Sequence, residues 1–239
     1  MDYDPVAEFY ALQYARYTDD LEFYARLARD YGGPVLELGA GTGRVTRAVA
    51  RSGVEVVALE PSGAMRELGR QHTEGLPVEW LEGDMRALDL GRRFPLIIAP
   101  FNAFMHLYTL EEQDQALRGI ADHLGPGGRL AFDLYNPAHI GPPEVLRWEG
   151  SYEGGLEVFI RQEHLPAIQA LLTHYYLDRT DAKGVVRRQT FTLTQRYFTR
   201  YELERWLRSY GFDYRLKGGF HGEKLDADSL HFCVTAWRR

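Results

Sequence analysis

The densest group of residues able to do chemistry is Val35-Leu-Glu-Leu-Gly-Ala-Gly-Thr-Gly-Arg44. An apolar strand running into a glycine-rich turn lets the backbone approach a ligand closely, and the helix that follows points its N-terminus at that ligand. Such turns serve nucleotides in general, and two details here discriminate among them. A dinucleotide fingerprint reads G-x-G-x-x-G/A, with the third small residue allowing tight helix–strand packing and the pyrophosphate lying on the helix dipole. After Gly39-Ala40-Gly41 this chain puts Arg44 in that third place, which is expected to hinder such packing. The strand also carries Glu37, close to the turn. A carboxylate there suits a ligand with an ammonium and no phosphate better than it suits pyrophosphate.

Two further acids continue the pattern. Glu60 closes Ala58-Leu-Glu-Pro-Ser62, and a carboxylate at the end of a second strand is placed to accept both ribose hydroxyls of an adenosine. After a third apolar run comes Glu82-Gly-Asp-Met85, where Asp84 can accept from an adenine amino group and Met85 can cover the ring's face. Each acid alone is what a solvated strand end carries. In order and on successive strands, they form one signal.

These positions depend on an alternating scaffold. Apolar spacing over residues 5–31 predicts two helices, the second capped by Thr18-Asp-Asp and ended by Gly32-Gly33. Strands are expected over 34–38, 54–59, 78–81, 96–99 and 129–134, with helices over 44–51, 62–71 and 110–124. Strands separated by helices predict parallel βαβ units in an α/β, doubly wound, mostly parallel sheet. The rhythm breaks after Asn136-Pro137, and Gly141-Pro-Pro143 reads as a linker. Residues 156–160, 171–177 and 185–198 are β-rich, with Asp181-Ala-Lys-Gly184 as a hairpin turn, so an inserted antiparallel β platform is expected. Thr199 then caps a helix over 201–210, Gly211 stops it, and two strands follow. The domain expectation is 1–31 as N-terminal lid helices, 32–146 with 199–239 as the ligand-binding domain, and 147–198 as the inserted strands.

Composition narrows the classes. A net charge of −6 without any basic run opposes a surface that tracks a phosphate backbone. The single cysteine, Cys233, excludes an internal disulfide framework and a cysteine-rich metal site. No stretch approaches the ~20 apolar residues of a membrane span. Met1-Asp-Tyr-Asp-Pro5 lacks the basic and apolar regions of a signal peptide, so a cytoplasmic location is expected, with no membrane partner, no nucleic-acid partner and no metal.

On these motifs, residues 33–136 resemble the class I S-adenosylmethionine (SAM)-dependent methyltransferases. Glu37 to Gly43 resembles their first motif, Glu60 the acidic second, and Gly83-Asp84-Met85 the adenine motif. Residues 95–102 resemble the segment after strand four, and residues 124–133 the turn into strand five. The whole chain, with its inserted strands, looks most like the small-molecule branch that includes sugar N,N-dimethyltransferases. The resemblance implies a Rossmann-like methyltransferase fold and SAM as cofactor, with S-adenosylhomocysteine (SAH) as product. It implies Glu37 near the methionine amino group, Gly39, Ala40 and Gly41 under the methionine part, Glu60 on the ribose, and Pro61 and Met65 along the adenosine. Gly83, Asp84 and Met85 would hold the adenine, and Pro100 and Phe101 would lie beside the sulfonium. Relatives often show A-x-x-Y-D near the N-terminus, whereas this chain has Ala7-Glu-Phe-Tyr10-Ala11; Tyr10 fits a lid, with Tyr14 and Tyr17 as alternatives.

The acceptor is expected to be a nitrogen or oxygen of a small soluble molecule, enclosed by aromatic-rich walls from the N-terminal helices and the platform. The loop Ala99-Pro-Phe-Asn102 does not match the [DN]-P-P-[YF] loop of base- and glutamine-methylating enzymes. In-line alignment can supply roughly 7–11 kcal/mol, leaving only a proton to remove. His106 is the candidate catalytic residue, and His139, Arg196, Tyr197 and His221 are further groups that could reach an acceptor. A homodimer is left open. The competing expectations are a non-catalytic SAM-binding regulator or assembly protein and an NAD(P)-dependent oxidoreductase.

Overall fold

The computed structural model describes residues 3–141 and 145–239, and these fall into two units. One comprises the residues up to Asn136 together with Phe198–Arg239, and the other is Pro137–Tyr197. Pro142 and Pro143 of the expected linker lie outside the described residues.

The first unit is a seven-stranded sheet in the order β10-β11-β5-β4-β1-β2-β3. Its strands are β1 (Val35–Leu38), β2 (Val56–Glu60), β3 (Val78–Glu82), β4 (Phe94–Ala99), β5 (Leu124–Tyr135), β10 (Phe212–Lys217) and β11 (His231–Arg238). β1 to β5 pair in parallel, while β11 runs antiparallel to β5 and β10 antiparallel to β11. Every residue of β1 and β2 is buried, as the near-continuous apolar runs require for strands covered on both faces. The helices are α1 (Ala7–Tyr14), α2 (Leu21–Tyr31), α3 (Arg44–Arg51), α4 (Gly63–His72), α5 (Leu110–His123) and α6 (Arg200–Ser209). Alternate strand residues such as Val35, Ile98 and Ala131 pack with Tyr24, Leu27 and Val45 of α2 and α3. The intervening Phe132 faces the other way, where Phe104 and Trp206 stack edge-on. The chain leaves β1 towards β2 and β3 and later returns to β4 on β1's other side. That reversal opens a crevice beyond the carboxyl ends of β1 and β4.

The second unit is a four-stranded antiparallel meander of β6 (Arg147–Tyr152), β7 (Leu156–Leu165), β8 (Ala170–Thr180) and β9 (Val186–Arg196). β6 had no clear signature in the sequence because its residues are largely exposed. One face is apolar, and across it Tyr175 and Phe191, register partners, stack at 4.6 Å. Asp181 closes the β8–β9 turn, its carboxylate accepting from Lys183 and Val185 N–H.

Two local expectations change. Asp20 precedes α2 but makes no side-chain cap, because its buried carboxylate is drawn into a bidentate pair with the largely buried Arg44 at 2.5 and 2.7 Å. Arg44 does not hinder the packing of α3 on the sheet either: Val45, Val49 and Ala50 are buried in one cluster with Val35 and Val56. The Arg44 guanidinium also bonds Tyr17 O at 3.0 Å and lies over the Tyr17 and Phe101 rings. Removing one member of such a pair strands a buried charge, at a cost of about 3–5 kcal/mol. Asp20→Ala should therefore lose about that much stability in urea denaturation. Asp20→Ala combined with Arg44→Met should recover most of it.

Candidate active site

The crevice is floored by the glycine turn. Gly39 and Gly41 have φ values of 69° and 56°, a left-handed backbone that a side chain would strain. Gly39 and Ala40 donate their N–H groups to Leu59 O at 2.9 and 3.1 Å, and Gly41 donates to Glu60 Oε2 at 2.9 Å. These three amides are engaged within the protein and so are not offered to a phosphate.

Glu60 is buried at the end of β2 and also accepts from Ser62 N–H at 2.9 Å. One backbone donor per oxygen leaves acceptor capacity for two hydroxyls. Burial raises its pKa, opposed by those two backbone bonds. Met65 is buried beneath α4's first turn, and Pro61 is exposed, its carbonyl accepting from Arg66. A Cβ on Gly39 would lie 3.6 Å from Met85 Cε, which places Met85 beside the turn. Gly83 is constrained by packing, since a Cβ there would meet Leu59 Cδ1 at 2.5 Å. Asp84 is held by Arg86 through Nε at 2.9 Å, Nη2 at 2.5 Å and the backbone N–H at 2.9 Å. Burial pushes its carboxyl up, but these bonds outweigh it and keep the pKa below the ordinary value. Arg86 also reaches Glu112 at the start of α5, tying the loop after β3 to that helix.

At the other end, carboxyl groups outnumber cations. Asp20, Glu37 and Asp133 are 0%, 2% and 1% exposed and share the field of one guanidinium, Arg44. Glu37 accepts from Thr46 Oγ1 at 2.7 Å, and its other oxygen meets no donor among the described residues. Burial pushes Glu37 up to about 8 and Asp133 to about 6.

Aromatic rings cover the crevice. Tyr10 stands over Gly41, 3.9 Å from where its Cβ would be. Tyr3, Tyr10, Tyr14, Phe101 and Tyr17 follow one another at centroid separations of 4.7–5.8 Å. Tyr10, Tyr14 and Tyr17 thus lie in one aromatic row with Phe101. Beyond Tyr3 lies His106, its Nε2 3.1 Å from the Tyr3 hydroxyl and its Nδ1 3.4 Å from that of Tyr108. Burial lowers the imidazole pKa to about 4. Phe101 follows buried Pro100, and with Asn102 it adopts left-handed φ values of 53° and 64°. For phenylalanine that is an outlier, costing on the order of 1–3 kcal/mol.

The remaining histidine and arginine candidates do not join this group within the unit. His221 is exposed in a loop before β11. His139, Arg196 and Tyr197 belong to the antiparallel unit, where the Tyr197 hydroxyl pairs with His164 Nε2 at 2.9 Å. Sequence reasoning missed Asp20, Tyr24, Asp133 and Arg86. Asp133 carries the readable signal, an acid inside the apolar run Leu130-Ala-Phe-Asp-Leu134.

Residues 35–128 match the model of a methyltransferase domain. A cypemycin N-terminal methyltransferase of a Streptomyces species is 37% identical over 45% of this chain and 44% of its own length. The chain thus spans about half the length of the first curated relatives it matches. A dTDP-3-amino-3,6-dideoxy-alpha-D-glucopyranose N,N-dimethyltransferase of Streptomyces fradiae is 28% identical over 93% of this chain and 87% of its own. The solved structure of the CcbJ methyltransferase from Streptomyces caelestis superposes with a TM-score of 0.81, at 27% identity over 92% of this chain and 95% of that one. Residues 35–128 match a methyltransferase domain, and the chain has a Rossmann-like methyltransferase fold.

The residues present fit that cofactor. Glu60 retains room for two hydroxyls, the engaged turn amides are not offered to a phosphate, and buried carboxyls in excess of cations suit an ammonium. A ligand ammonium favours ionised Glu37, whose pKa in the free protein is about 8. Binding therefore releases a proton below that pH, and SAH affinity should rise between pH 6 and pH 8. Calorimetry in buffers of different ionisation enthalpy should register the released proton, and Glu37→Gln should abolish it.

Proposed function

We propose that this protein transfers a methyl group from SAM to the nitrogen of a small soluble amine. The observation that carries the reading is the crevice itself, with engaged turn amides at one end and unmatched buried carboxyls at the other. When bound, SAM supplies a methyl group made electrophilic by its sulfonium. The chain's residues bind and orient: Glu60 takes the ribose, Glu37 faces the amino group, Asp84 and Met85 hold the adenine, and Tyr10 and Tyr17 close over them. Phe101 lines the sulfonium end.

The acceptor class follows from basicity. With its pKa held near 4, His106 is neutral at physiological pH but a weak base. Removing a proton from an alcohol calls for a base matched to the task, whereas an uncharged amine already offers its lone pair. His106 therefore acts as a neutral wall and hydrogen-bonding partner, and its catalytic contribution is small. The relatives support an amine, since the Streptomyces fradiae protein is named for an amino sugar and the cypemycin enzyme for an N-terminus. A nucleotide-linked amino sugar is the acceptor type favoured by the relative that matches nearly the whole chain. The net charge of −6 speaks against nucleic acid, and no described helix is long and apolar enough to cross a membrane.

The test is transfer of labelled methyl from SAM to amino sugars, other small amines, phenols, carboxylates, RNA and protein. Incorporation into amines is expected; incorporation confined to hydroxyl, carboxylate or polymer acceptors would overturn the reading. With the true acceptor, kcat/KM should rise with pH up to the acceptor ammonium's own pKa. His106→Phe should keep kcat within about tenfold of the unaltered protein, where losing a general base typically costs ~10²–10⁴-fold.

A further inference from the structure

Asp133 stands out among the buried polar groups that the proposed transfer leaves without a role. It lies near the carboxyl end of β5, between Phe132 and Leu134, both buried. One oxygen, Oδ1, accepts the Tyr24 hydroxyl at 2.6 Å and the Phe101 N–H at 2.8 Å. Its backbone carbonyl also accepts from Asn102 N–H at 3.3 Å, and Asn102 Oδ1 accepts from Tyr135 N–H at 2.6 Å. The charged and titratable groups around it are Tyr17 before α2, Asp20 and Tyr24 beside or on α2, Arg44 on α3, and its β11 register partner Cys233. None of the cationic ones bonds it directly. A carboxylate in such a place is costly unless its hydrogen bonds accomplish something.

The group it holds is the strained one. Phe101 and Asn102 are left-handed residues in succession, and the clamp on Phe101 N–H comes from Asp133. The Phe101 ring in turn meets Tyr14, Tyr17 and Arg44. We propose that Asp133 is a positioning residue for cofactor binding, its Oδ1 fixing the Phe101 backbone against Tyr24 and so setting the ring on which the N-terminal aromatic cover rests. This rests on the assignment of SAM to the crevice, and it names a residue acting through Phe101 rather than touching the ligand.

The experiment combines SAH titration with ligand-free stability. Asp133→Asn keeps an oxygen able to accept from both donors, and its SAH Kd should stay within about threefold of the unaltered protein. Asp133→Ala should raise the Kd by about tenfold or more. In urea without ligand, Asp133→Ala should cost less stability in a Phe101→Gly background, where the left-handed backbone is unstrained, than alone. That cycle needs no cofactor, so a protein that binds no SAH would refute the cofactor assignment while still testing the clamp. Unaltered SAH affinity in Asp133→Ala, equal losses in the Asn and Ala variants, or an additive cycle would overturn the proposal. If Asp133→Ala fails to fold alone, recovery of folding in the double variant supports the clamp, and failure of both overturns it.

Discussion

Three carboxyl groups and one guanidinium are buried together where β1, β5 and the helices α2 and α3 converge, and the site's character follows from that imbalance. Arg44 is committed to Asp20 by two short bonds, so Glu37 and Asp133 are left with only hydroxyl and amide donors. Low-dielectric surroundings then hold both carboxyls above their ordinary pKa values. A protein tolerates such an excess where a ligand's positive charge completes it, as the ammonium of SAM would. The same arrangement repels pyrophosphate, which the engaged amides of Gly39, Ala40 and Gly41 also cannot receive. Cofactor choice is thus written twice, once in charge and once in backbone hydrogen bonds.

The cover over the crevice is fixed at both ends by carboxylates. Asp4 accepts from Ser62 Oγ at 2.5 Å and from Ala64 N–H at 3.1 Å, close in the chain to the buried Glu60. Asp20 anchors the far end to Arg44, one residue beyond the glycine turn. Between them run Tyr10, Tyr14 and Tyr17, resting on a Phe101 ring that the backbone strain has placed there. Strain of this kind persists only where its surroundings over-determine it. Asp133, Asn102 and Tyr135 supply that over-determination.

Much of this was legible in the sequence, for identifiable reasons. The βα alternation, the glycine turn and the acids Glu37, Glu60 and Asp84 sit at fixed places relative to parallel strands, so position along the chain predicts position in the crevice. Arg44 was legible as an exception to the dinucleotide pattern, but its use was not, because its partner Asp20 lies 24 residues earlier and looks like an ordinary helix cap. The Phe101 clamp was invisible for the same reason: Tyr24 and Phe101 reach Asp133 from 109 and 32 residues away. β6 escaped because its exposed residues carry no clear alternation. Local patterns report elements and motif positions, whereas buried polar pairs belong to the tertiary fold and have no spacing of their own.

On the reading proposed above, charge and amide geometry select an adenosine with an amino-acid tail over a dinucleotide. Thermal unfolding of the purified protein with SAH and, separately, with NAD tests it most directly. At a hundredfold excess over Kd a native-state ligand adds about 2.7 kcal/mol, enough to move the melting midpoint by several degrees. That shift is expected with SAH and not with NAD. A clear shift with NAD and none with SAH, in a well-folded sample, would contradict it.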